Sequence, residues 1–297
     1  MFDPLVFLRS VGLDCGNDSI AEPLAGGYWN QVFRVRGDGR DLVVKHFGGS
    51  SVESSLFPVL PDDEARALDV LSGRGVAPDP VGYYPAGDDH GPVLVYAFFA
   101  GQMWDGDVAE AADLLSRIHS VDTSGFRLMP ASPSAILADA DRLPKPPDDD
   151  ETWHRLLGLR PAVTIDEAPS RRVLVHGDFS AGNMIAGPDG VRSIDWQCPG
   201  MGDAAEDLWS FLSPAFQILY DRGPHDSDAV ARFCRAYGDD VAVARLDLLA
   251  PYLSYRFAHY CCFRTHQLAE VNPVGSDRYA RASDAELDVL ARHQATA

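Results

Sequence analysis

Positive charge is scarce in this 297-residue chain. Its 25 lysine and arginine residues are outnumbered by 44 aspartate and glutamate residues, so the formal net charge at pH 7 is −19. A surface this acidic repels phosphate backbones and anionic lipids, which argues against binding to nucleic acid or to a membrane. The same charge favours the binding of small cationic molecules.

Cysteine is also rare, and its spacing argues against two common uses. Cys15, Cys198, Cys234, Cys261 and Cys262 are odd in number, and none stands in a C-x-x-C pair. Neither a disulfide framework nor a zinc knuckle follows from this spacing. Reduced thiols in a cytoplasmic protein are the simplest interpretation. Because no basic cluster adjoins Cys261 and Cys262 to lower their thiol pKa, we expect both to be inert apolar residues.

Long apolar runs and internal repeats are absent as well. The longest apolar run, Val93 to Ala100, is far shorter than the ~18 residues that indicate a membrane span. The N-terminus has no signal-peptide pattern, and no repeat of solenoid or propeller period is present. With 297 residues, 46% of them hydrophobic, the chain is long enough for two domains or one domain of two lobes.

The secondary-structure pattern changes near residue 100. Before it, short β-rich runs separated by glycines predict strands, with one helix that begins near Pro61-Asp62-Asp63-Glu64 and ends before Gly73. After it, helical patterns dominate, first as an apolar stripe within Asp107 to Ser120. Asp203 with Glu206 predicts a capping box ahead of another helix. We therefore predict an N-terminal lobe of residues 1–100 and a C-terminal lobe of residues 101–297.

The segment from Val173 to Trp196 has the pattern of a catalytic site. An apolar strand, Val173 to Val175, leads into the loop that carries Asp178 and Asn183. Two short apolar runs then flank a Pro-Asp-Gly turn and are predicted to pair as a hairpin, Met184 to Ala186 with Val191 to Ile194. The hairpin returns the chain, so Asp195 is expected near Asn183. Asparagine and aspartate oxygens beside a further carboxylate predict a site for a hard cation such as Mg²⁺.

The pattern Asp-x-x-x-x-Asn, a hairpin and a second Asp resembles the catalytic layout of the protein-kinase-like fold. Its form His-Gly-Asp-x-x-x-x-Asn with Ile-Asp-Trp is similar to the aminoglycoside phosphotransferase and choline kinase family of small-molecule kinases. The segment Gly202-Asp203-x-x-x-Asp207-Leu208 fits the next signature of that family. The resemblance implies a bilobal α+β fold, with an antiparallel N-terminal sheet carrying one key helix and a mainly helical C-terminal lobe.

The resemblance also implies a role for each matching residue. Asp178 would accept the proton of the substrate hydroxyl, Asn183 and Asp195 would hold Mg²⁺, and Asp207 would brace the catalytic loop. Lys45 would contact the α- and β-phosphates, with Glu64 as its ion-pair partner. Leu24 to Phe33 is similar to a phosphate-covering hairpin, with Trp29 where the family has a small hydroxyl residue. Val93 to Gly101 matches the hinge that pairs with adenine. The residues implied to bind the nucleotide are Gly26, Gly27, Asn30, Lys45, Glu64, Ala97 and Phe99.

Taken together, the resemblance implies an ATP- and Mg²⁺-dependent kinase that phosphorylates a hydroxyl group of a small molecule. GTP is an alternative nucleotide, since a hinge reads the base mainly through backbone groups. The net charge favours a cationic acceptor such as an aminoglycoside or another basic antibiotic. A choline-, ethanolamine- or amino-sugar-type metabolite kinase is the alternative within this class. Outside it, the alternative is a catalytically silent nucleotide-binding protein. A protein kinase is disfavoured because no Ala-Pro-Glu follows Asp195.

An acidic run and a group of aromatic residues each have both a structural and a functional interpretation. The acidic run Asp148 to Glu151 is either a solvated segment or part of the path of a cationic substrate. The aromatic residues between Leu246 and Leu268 are either core or a cation–π cage. His119 and His176 are interpreted as hydrogen-bonded structural residues. The sequence leaves the acceptor and the oligomeric state open.

Overall fold

A computed structural model describes residues 2–24, 30–48, 56–87, 90–122, 124–169 and 171–296 of the chain. Within them the chain has an α+β fold and divides into two compact units. The first spans Met1–Ser54, Pro58–Gln102 and Ile185–Cys198, and the second spans Ser55–Phe57, Met103–Met184 and Pro199–Ala297. No helix of the described residues is both long and apolar enough to cross a membrane.

The first hundred residues form mainly strands, and the residues after 200 form mainly helices. The strands are β1 (Ile20–Pro23), β2 (Asn30–Gly37), β3 (Arg40–Phe47), β4 (Pro80–Tyr84), β5 (Val93–Ala97), β6 (Gln102–Met103), β7 (Val173–Val175), β8 (Met184–Gly187), β9 (Gly190–Ser193) and β10 (Gly200–Gly202). The helices are α1 (Pro4–Ser10), α2 (Pro61–Leu71), α3 (Val108–His119), α4 (Pro133–Ala140), α5 (Glu151–Gly158), α6 (Ala205–Leu212), α7 (Pro214–Leu219), α8 (Ser227–Tyr237), α9 (Asp240–Leu268) and α10 (Pro273–Thr296).

The first unit contains a five-stranded antiparallel sheet of order β1-β2-β3-β5-β4. Its middle strands are rich in β-branched residues, which pack well on a pleated surface. Val44 and Val95 pair across β3 and β5 and are fully buried, and Phe7 and Leu8 of α1 pack against them. The predicted antiparallel sheet is therefore confirmed.

The helix predicted to begin near Pro61 is α2. It starts with proline at its first position and three acidic residues in its first turn, where free N–H groups and the helix dipole favour them. Its inner side buries Ala65, Leu68 and Leu71 together with one acidic residue, Glu64. A buried carboxylate on an otherwise apolar helix face is costly unless a cation or hydrogen-bond donors compensate it.

The predicted hairpin is confirmed as β8 and β9, which lie side by side in a small sheet of order β6-β8-β9. Two backbone hydrogen bonds attach the chain beyond the turn to the rest of the first unit. Ser193 N–H donates to the carbonyl of Val76 at 2.9 Å, and Leu60 N–H donates to the carbonyl of Gln197 at 2.8 Å. These two bonds hold the backbone in place on both sides of Asp195.

The second unit is built around α9, which packs against α4, α5, α6 and α10. Four of the five aromatic residues of α9 are core, as the structural interpretation predicted, because Tyr252, Tyr255, Phe257 and Tyr260 are buried; Phe263 is half-buried. Two of their hydroxyls already have partners: Tyr252 donates to the carbonyl of Ala162, and Tyr255 accepts from Arg160.

The capping box predicted before α6 is only half right. Asp203 Oδ1 accepts the N–H of Ala205, as a cap should. Glu206 does not reach back to complete the box, because its carboxylate forms a buried ion pair with Arg256 of α9. The long-range charge pair outweighs the local hydrogen bond, since without Glu206 the buried Arg256 would keep only its longer contact with Asp139.

Candidate active site

Lys45 forms the centre of a charged cluster inside the first unit. It lies on β3 between Val32 of β2 and Leu94 of β5, and its side chain is only 3% exposed. Its Nζ donates to both carboxylate oxygens of Glu64 at 2.8 Å and to Asp195 Oδ1 at 2.6 Å. Charge-assisted bonds of this length hold all three side chains in place. The structure thus brings together the three residues that the sequence predicted for phosphate and metal binding in this unit.

Asp195 has an unusual backbone conformation. Its φ angle is 60°, in the left-handed region that L-residues rarely adopt, although aspartate tolerates it better than most. Such a conformation costs free energy and persists only where the surroundings impose it, typically at functional sites. Here it holds the carboxylate against Lys45 while leaving the side chain 36% exposed.

The protonation of this cluster follows from two carboxylates sharing one ammonium group. Burial disfavours the charged form of Lys45, but Asp195 and Glu64 outweigh it and hold the pKa of Lys45 above its ordinary value. Burial raises the pKa of Glu64 to about 7, against the opposing effect of Lys45. Both pKa values are raised, which favours the charged form of Lys45 and the neutral form of Glu64, because one ammonium group serves two carboxylates. We take Lys45 as charged, since two acceptors at hydrogen-bond distance require the ammonium form.

The His176–Asn183 loop of the second unit begins at the end of the buried strand β7. Gly177 has a φ angle of 83°, which glycine adopts without strain and which turns the chain sharply after His176. His176 is fully buried, and its Nδ1 accepts the N–H of Asp178 at 3.3 Å. His176 therefore shapes the loop, as the structural interpretation predicted.

Asp207, fully buried at the start of α6, braces this loop from behind. Its two carboxylate oxygens accept the backbone N–H groups of His176 at 2.7 Å and Gly177 at 3.0 Å. His119 Nε2 lies 3.1 Å from the same carboxylate, and its Nδ1 lies 2.9 Å from the hydroxyl of Tyr237. Because a carboxylate only accepts, the proton is assigned to Nε2, and Tyr237 then donates to Nδ1. The bracing role implied for Asp207 is confirmed.

Asn183 positions Asp178 directly. The loop closes with a single 3₁₀ turn, Ala181–Asn183, whose last residue is buried. Its Nδ2 donates to the Asp178 backbone carbonyl at 2.8 Å and to Asp178 Oδ2 at 2.9 Å. With the amide nitrogen engaged in this way, the amide oxygen is the atom that can coordinate a cation. The structure thus brings Asp178 and Asn183 together, and the predicted approach of Asp195 to Asn183 stays a prediction.

Of the other residues predicted to bind a nucleotide, Ala97, Phe99 and Asn30 lie at or just beyond the ends of inner strands of the first sheet. Ala97 N–H donates to the carbonyl of Asp79, and Phe98 N–H donates to the carbonyl of Asp41, both at 2.9 Å. Phe99 N–H has no such partner among the described residues, and the pairing of the hinge with a base stays a prediction. Asn30 begins β2 opposite Phe47, and its Oδ1 is buried without a described partner. Gly26, Gly27 and Trp29 lie outside the described residues.

Sequence reasoning missed one contact of the loop. The ring of Tyr220, just beyond α7, lies so close to Gly182 that a Cβ atom there would be 1.8 Å from it. The sequence around Gly182 does not predict this contact, because Tyr220 lies 38 residues further along the chain. Gly182 is therefore needed for the loop to lie against Tyr220.

A family model described as "Phosphotransferase enzyme family" matches residues 20–249 of the chain. No curated protein sequence matches it. Among solved structures, a choline/ethanolamine kinase family protein from Mesorhizobium loti superimposes with a TM-score of 0.66 at 20% identity, covering 96% of this chain and 97% of that one.

Two further solved structures have a similar fold. An amicoumacin kinase in complex with AMP-PNP, Ca²⁺ and Ami gives a TM-score of 0.64 at 16% identity, covering 97% of this chain and 94% of that one. A spectinomycin phosphotransferase in complex with ADP and spectinomycin gives 0.59 at 13% identity, covering 95% and 96%. At these identities the solved structures show that the fold is kinase-like.

Proposed function

The chain belongs to the phosphotransferase enzyme family, and on this premise we propose that it transfers the γ-phosphate of ATP to a hydroxyl group of a small cationic molecule, with Mg²⁺. GTP is the alternative nucleotide. The observation that carries the proposal is the buried Lys45 held between Glu64 and Asp195. A lysine this deep, with two carboxylates, is costly to build for stability alone. It suits a site that must neutralise phosphate charge.

The residues proposed to hold Mg²⁺ have suitable donor atoms. Asn183 offers an amide oxygen and Asp195 a carboxylate, and Mg²⁺ prefers one or two such protein ligands together with phosphate oxygens and water. When bound, Mg²⁺ would neutralise charge on the β- and γ-phosphates. Lys45 is the protein's own contribution to the same neutralisation, because its ammonium keeps its positive charge.

Asp178 is proposed as the group that accepts the proton of the acceptor hydroxyl. Phosphoryl transfer needs little covalent chemistry from the protein, so orientation and charge dominate catalysis. Asn183 fixes the Asp178 carboxylate through the 2.9 Å bond to Oδ2. Asp207 fixes the backbone that carries it. The substrate proton moves to the Asp178 carboxylate as the new oxygen–phosphorus bond forms, and the nucleoside diphosphate leaves.

Two considerations support a cationic acceptor. The net charge of −19 attracts cations to the surface of the molecule. Proteins of similar fold are described as kinases of choline or ethanolamine and of the antibiotics spectinomycin and amicoumacin. We therefore propose basic antibiotics such as aminoglycosides as the first acceptor class and amino alcohols or amino sugars as the second.

The proposal is tested by assaying phosphate transfer from ATP to a panel of aminoglycosides, amino alcohols and amino sugars. With an acceptor that is turned over, Asp178→Asn should lower kcat by about 10³-fold or more, since it removes the base and leaves an isosteric side chain. Nucleotide affinity and thermal stability should stay close to those of the parent protein. Asp189→Asn, in the exposed turn between β8 and β9, is the matched control and should keep full activity.

Two results would count against the proposal. A near-normal kcat in Asp178→Asn would contradict the role of Asp178 as the base that accepts the hydroxyl proton. Tight ATP binding by the parent protein without product from any acceptor would favour a silent nucleotide-binding protein instead.

A further inference from the structure

We propose that Asp150, Cys262 and His266 form a binding site for one divalent cation of the zinc class, within the second unit and independent of the phosphotransfer function. The three side chains offer a carboxylate oxygen, a thiol sulfur and an imidazole nitrogen, and these atoms all lie within 4.8 Å of one another. Sequence analysis predicted an inert Cys262 because no basic cluster adjoins it. That reasoning did not consider Asp150, 112 positions earlier, or His266, one helical turn further on.

The distances fit a tetrahedral ion with little rearrangement. Cys262 Sγ lies 3.6 Å from Asp150 Oδ1, close to the spacing of about 3.5 Å between sulfur and oxygen ligands of a tetrahedral zinc ion. His266 Nε2 lies 2.7 Å from Asp150 Oδ2, a hydrogen bond that has to open by about half an ångström to admit the ion. A water molecule would complete the fourth position.

Regular secondary structure holds the three donors in place. Cys262 and His266 are four residues apart on α9, so they project from the same face of the helix, one turn from each other. Asp150 is the N-cap of α5, and its Oδ1 accepts the N–H of Trp153 at 2.6 Å. The ring of Trp153 in turn packs 4.5 Å from that of His259 on α9. An ion here would link the start of α5 to α9.

The surroundings favour a cation and let it enter. Asp150 belongs to the acidic run Asp148 to Glu151, and Asp284 also acts on Cys262 electrostatically. Arg155, on α5, pairs with Asp284 and Asp288. Cys262 is buried, whereas the His266 side chain is 37% exposed and gives access from solvent.

The donor set selects the kind of ion. Sulfur and imidazole ligands suit zinc and its neighbours among the transition metals, whereas Mg²⁺ and Ca²⁺ take oxygen ligands. On binding, the Cys262 thiol loses its proton to solvent as the sulfur–metal bond forms. His266 binds through Nε2 as a neutral imidazole. The ion is therefore distinct in class from the Mg²⁺ proposed for phosphate transfer.

The test titrates the full-length, reduced and chelator-treated protein with Co²⁺ alone and follows its absorption spectrum. A site with one thiolate should give a sulfur-to-cobalt charge-transfer band in the near ultraviolet, saturating at one equivalent and displaced by Zn²⁺. Cys262→Ser should abolish the band. His266→Gln should weaken Co²⁺ binding by at least about 100-fold, since loss of even an outer-shell partner costs 10- to 100-fold. Cys234→Ser, at a half-buried cysteine on α8, is the matched control and should bind normally.

A second measurement covers the case in which Cys262→Ser fails to fold. Zn²⁺ should raise the thermal unfolding midpoint of the parent protein, because it binds only the folded state. His266→Gln alters a partly exposed side chain, so it should fold normally and lose this rise. The proposal is overturned if no charge-transfer band appears, or if His266→Gln binds Co²⁺ and responds to Zn²⁺ as the parent does. The three residues are then only a hydrogen-bonded group.

Discussion

Glu64 and Glu286 are buried carboxylates that the fold stabilises in different ways. Glu64 has the ammonium of Lys45 at hydrogen-bond distance from both oxygens. Glu286, on α10, accepts the hydroxyl of Ser213 and the N–H of Ala215, and the charge of Arg292 only partly opposes the effect of burial on its pKa. Burial raises the pKa of each to about 7. Each carboxylate therefore titrates near neutral pH, and each makes stability depend on pH.

Replacing Lys45 with methionine should destabilise the protein by about 3–5 kcal/mol at pH 8, because it leaves Glu64 buried without its partner. Without the lysine the folded-state pKa of Glu64 rises further above its unfolded value of about 4.5. A raised pKa contributes stability at low pH that is lost as the pH rises. The loss in Lys45→Met should therefore be smaller at pH 5 than at pH 8, as measured by urea unfolding.

Lys145 provides the control for this experiment. It is the only other lysine of the chain and is exposed, so Lys145→Met should change stability by no more than about 0.5 kcal/mol. Adding Glu64→Gln to Lys45→Met should recover part of the loss at pH 8. An equal loss at both pH values, with no recovery in the double variant, would mean that Glu64 is not the cause.

Glu286→Gln should stabilise the protein above neutral pH. The folded pKa of about 7 exceeds the ordinary value of 4.5, so the stability contributed by protonated Glu286 is complete below pH 4.5 and is lost as the pH rises through 7. Glutamine remains neutral, so the variant should exceed the parent by on the order of 3 kcal/mol at pH 8 and match it near pH 5.

The measurement is urea unfolding at both pH values, with Glu270→Gln as an exposed control that should show no such difference. A variant less stable than the parent at pH 8 would show that the charged carboxylate is the form the fold prefers.

At the scale of elements, the His176–Asn183 loop is held from two sides. Asp207 of α6 binds its first two backbone N–H groups. Tyr220, after α7, lies against Gly182 so closely that no side chain fits between them. The loop therefore owes its shape to helices that follow it in the chain. A small change on either side is expected to move Asp178, and misplacement of about 1 Å can cost 100-fold in rate.

Gly182→Ala should lower kcat by about 10- to 100-fold, because the new methyl group must displace either the loop or the Tyr220 ring. Steady-state kinetics with ATP and a working acceptor measures the loss. Gly158→Ala is the control, since no atom lies within 4 Å of a Cβ built there. Adding Tyr220→Ala should restore much of the rate. A double variant as slow as Gly182→Ala alone would show that steric conflict with Tyr220 is not the reason.

At the scale of elements, the sequence correctly predicted those features that depend only on neighbouring residues. The Pro-Asp-Asp-Glu start of α2 and the Pro-Asp-Gly turn between β8 and β9 rest on backbone chemistry within a few residues. The roles of Asp178, Asn183 and Asp195 rest on the resemblance to small-molecule kinases and remain predictions, although the contacts of each within its own unit agree with them.

Sequence reasoning failed where partners lie far apart in the chain. Glu206 pairs with Arg256, fifty residues later, instead of completing a capping box. Cys262 lies beside Asp150, 112 residues earlier. Such pairs depend on which helices pack together, and neither hydrophobic period nor capping pattern encodes that choice. Tertiary charge pairing overrides the local preference because leaving a buried charge unpaired costs several kcal/mol.

At the scale of the whole molecule, net charge is the property most relevant to substrate choice. Many arginines are already paired with acids, as in Arg34 with Asp41, Arg160 with Asp141 and Arg245 with Asp203. Pairing neutralises equal numbers of both signs, so the excess of 44 acidic over 25 basic residues persists at the surface. The resulting field extends about one Debye length into solution, roughly 10 Å at 0.1 M salt. It should attract cationic acceptors and repel anionic ones before any contact forms.

Acceptors of increasing positive charge should therefore show kcat/KM values that fall more steeply with salt. For an acceptor with two or more positive charges we expect a decrease of about tenfold between 0.02 and 0.5 M KCl, because screening removes the long-range attraction. An N-acetylated analogue with the same hydroxyl is the matched control, and its kcat/KM should change little. Assays at saturating ATP isolate the effect on the acceptor. If neutral and cationic acceptors respond to salt alike, the cationic preference has to come from contacts within the site or be abandoned.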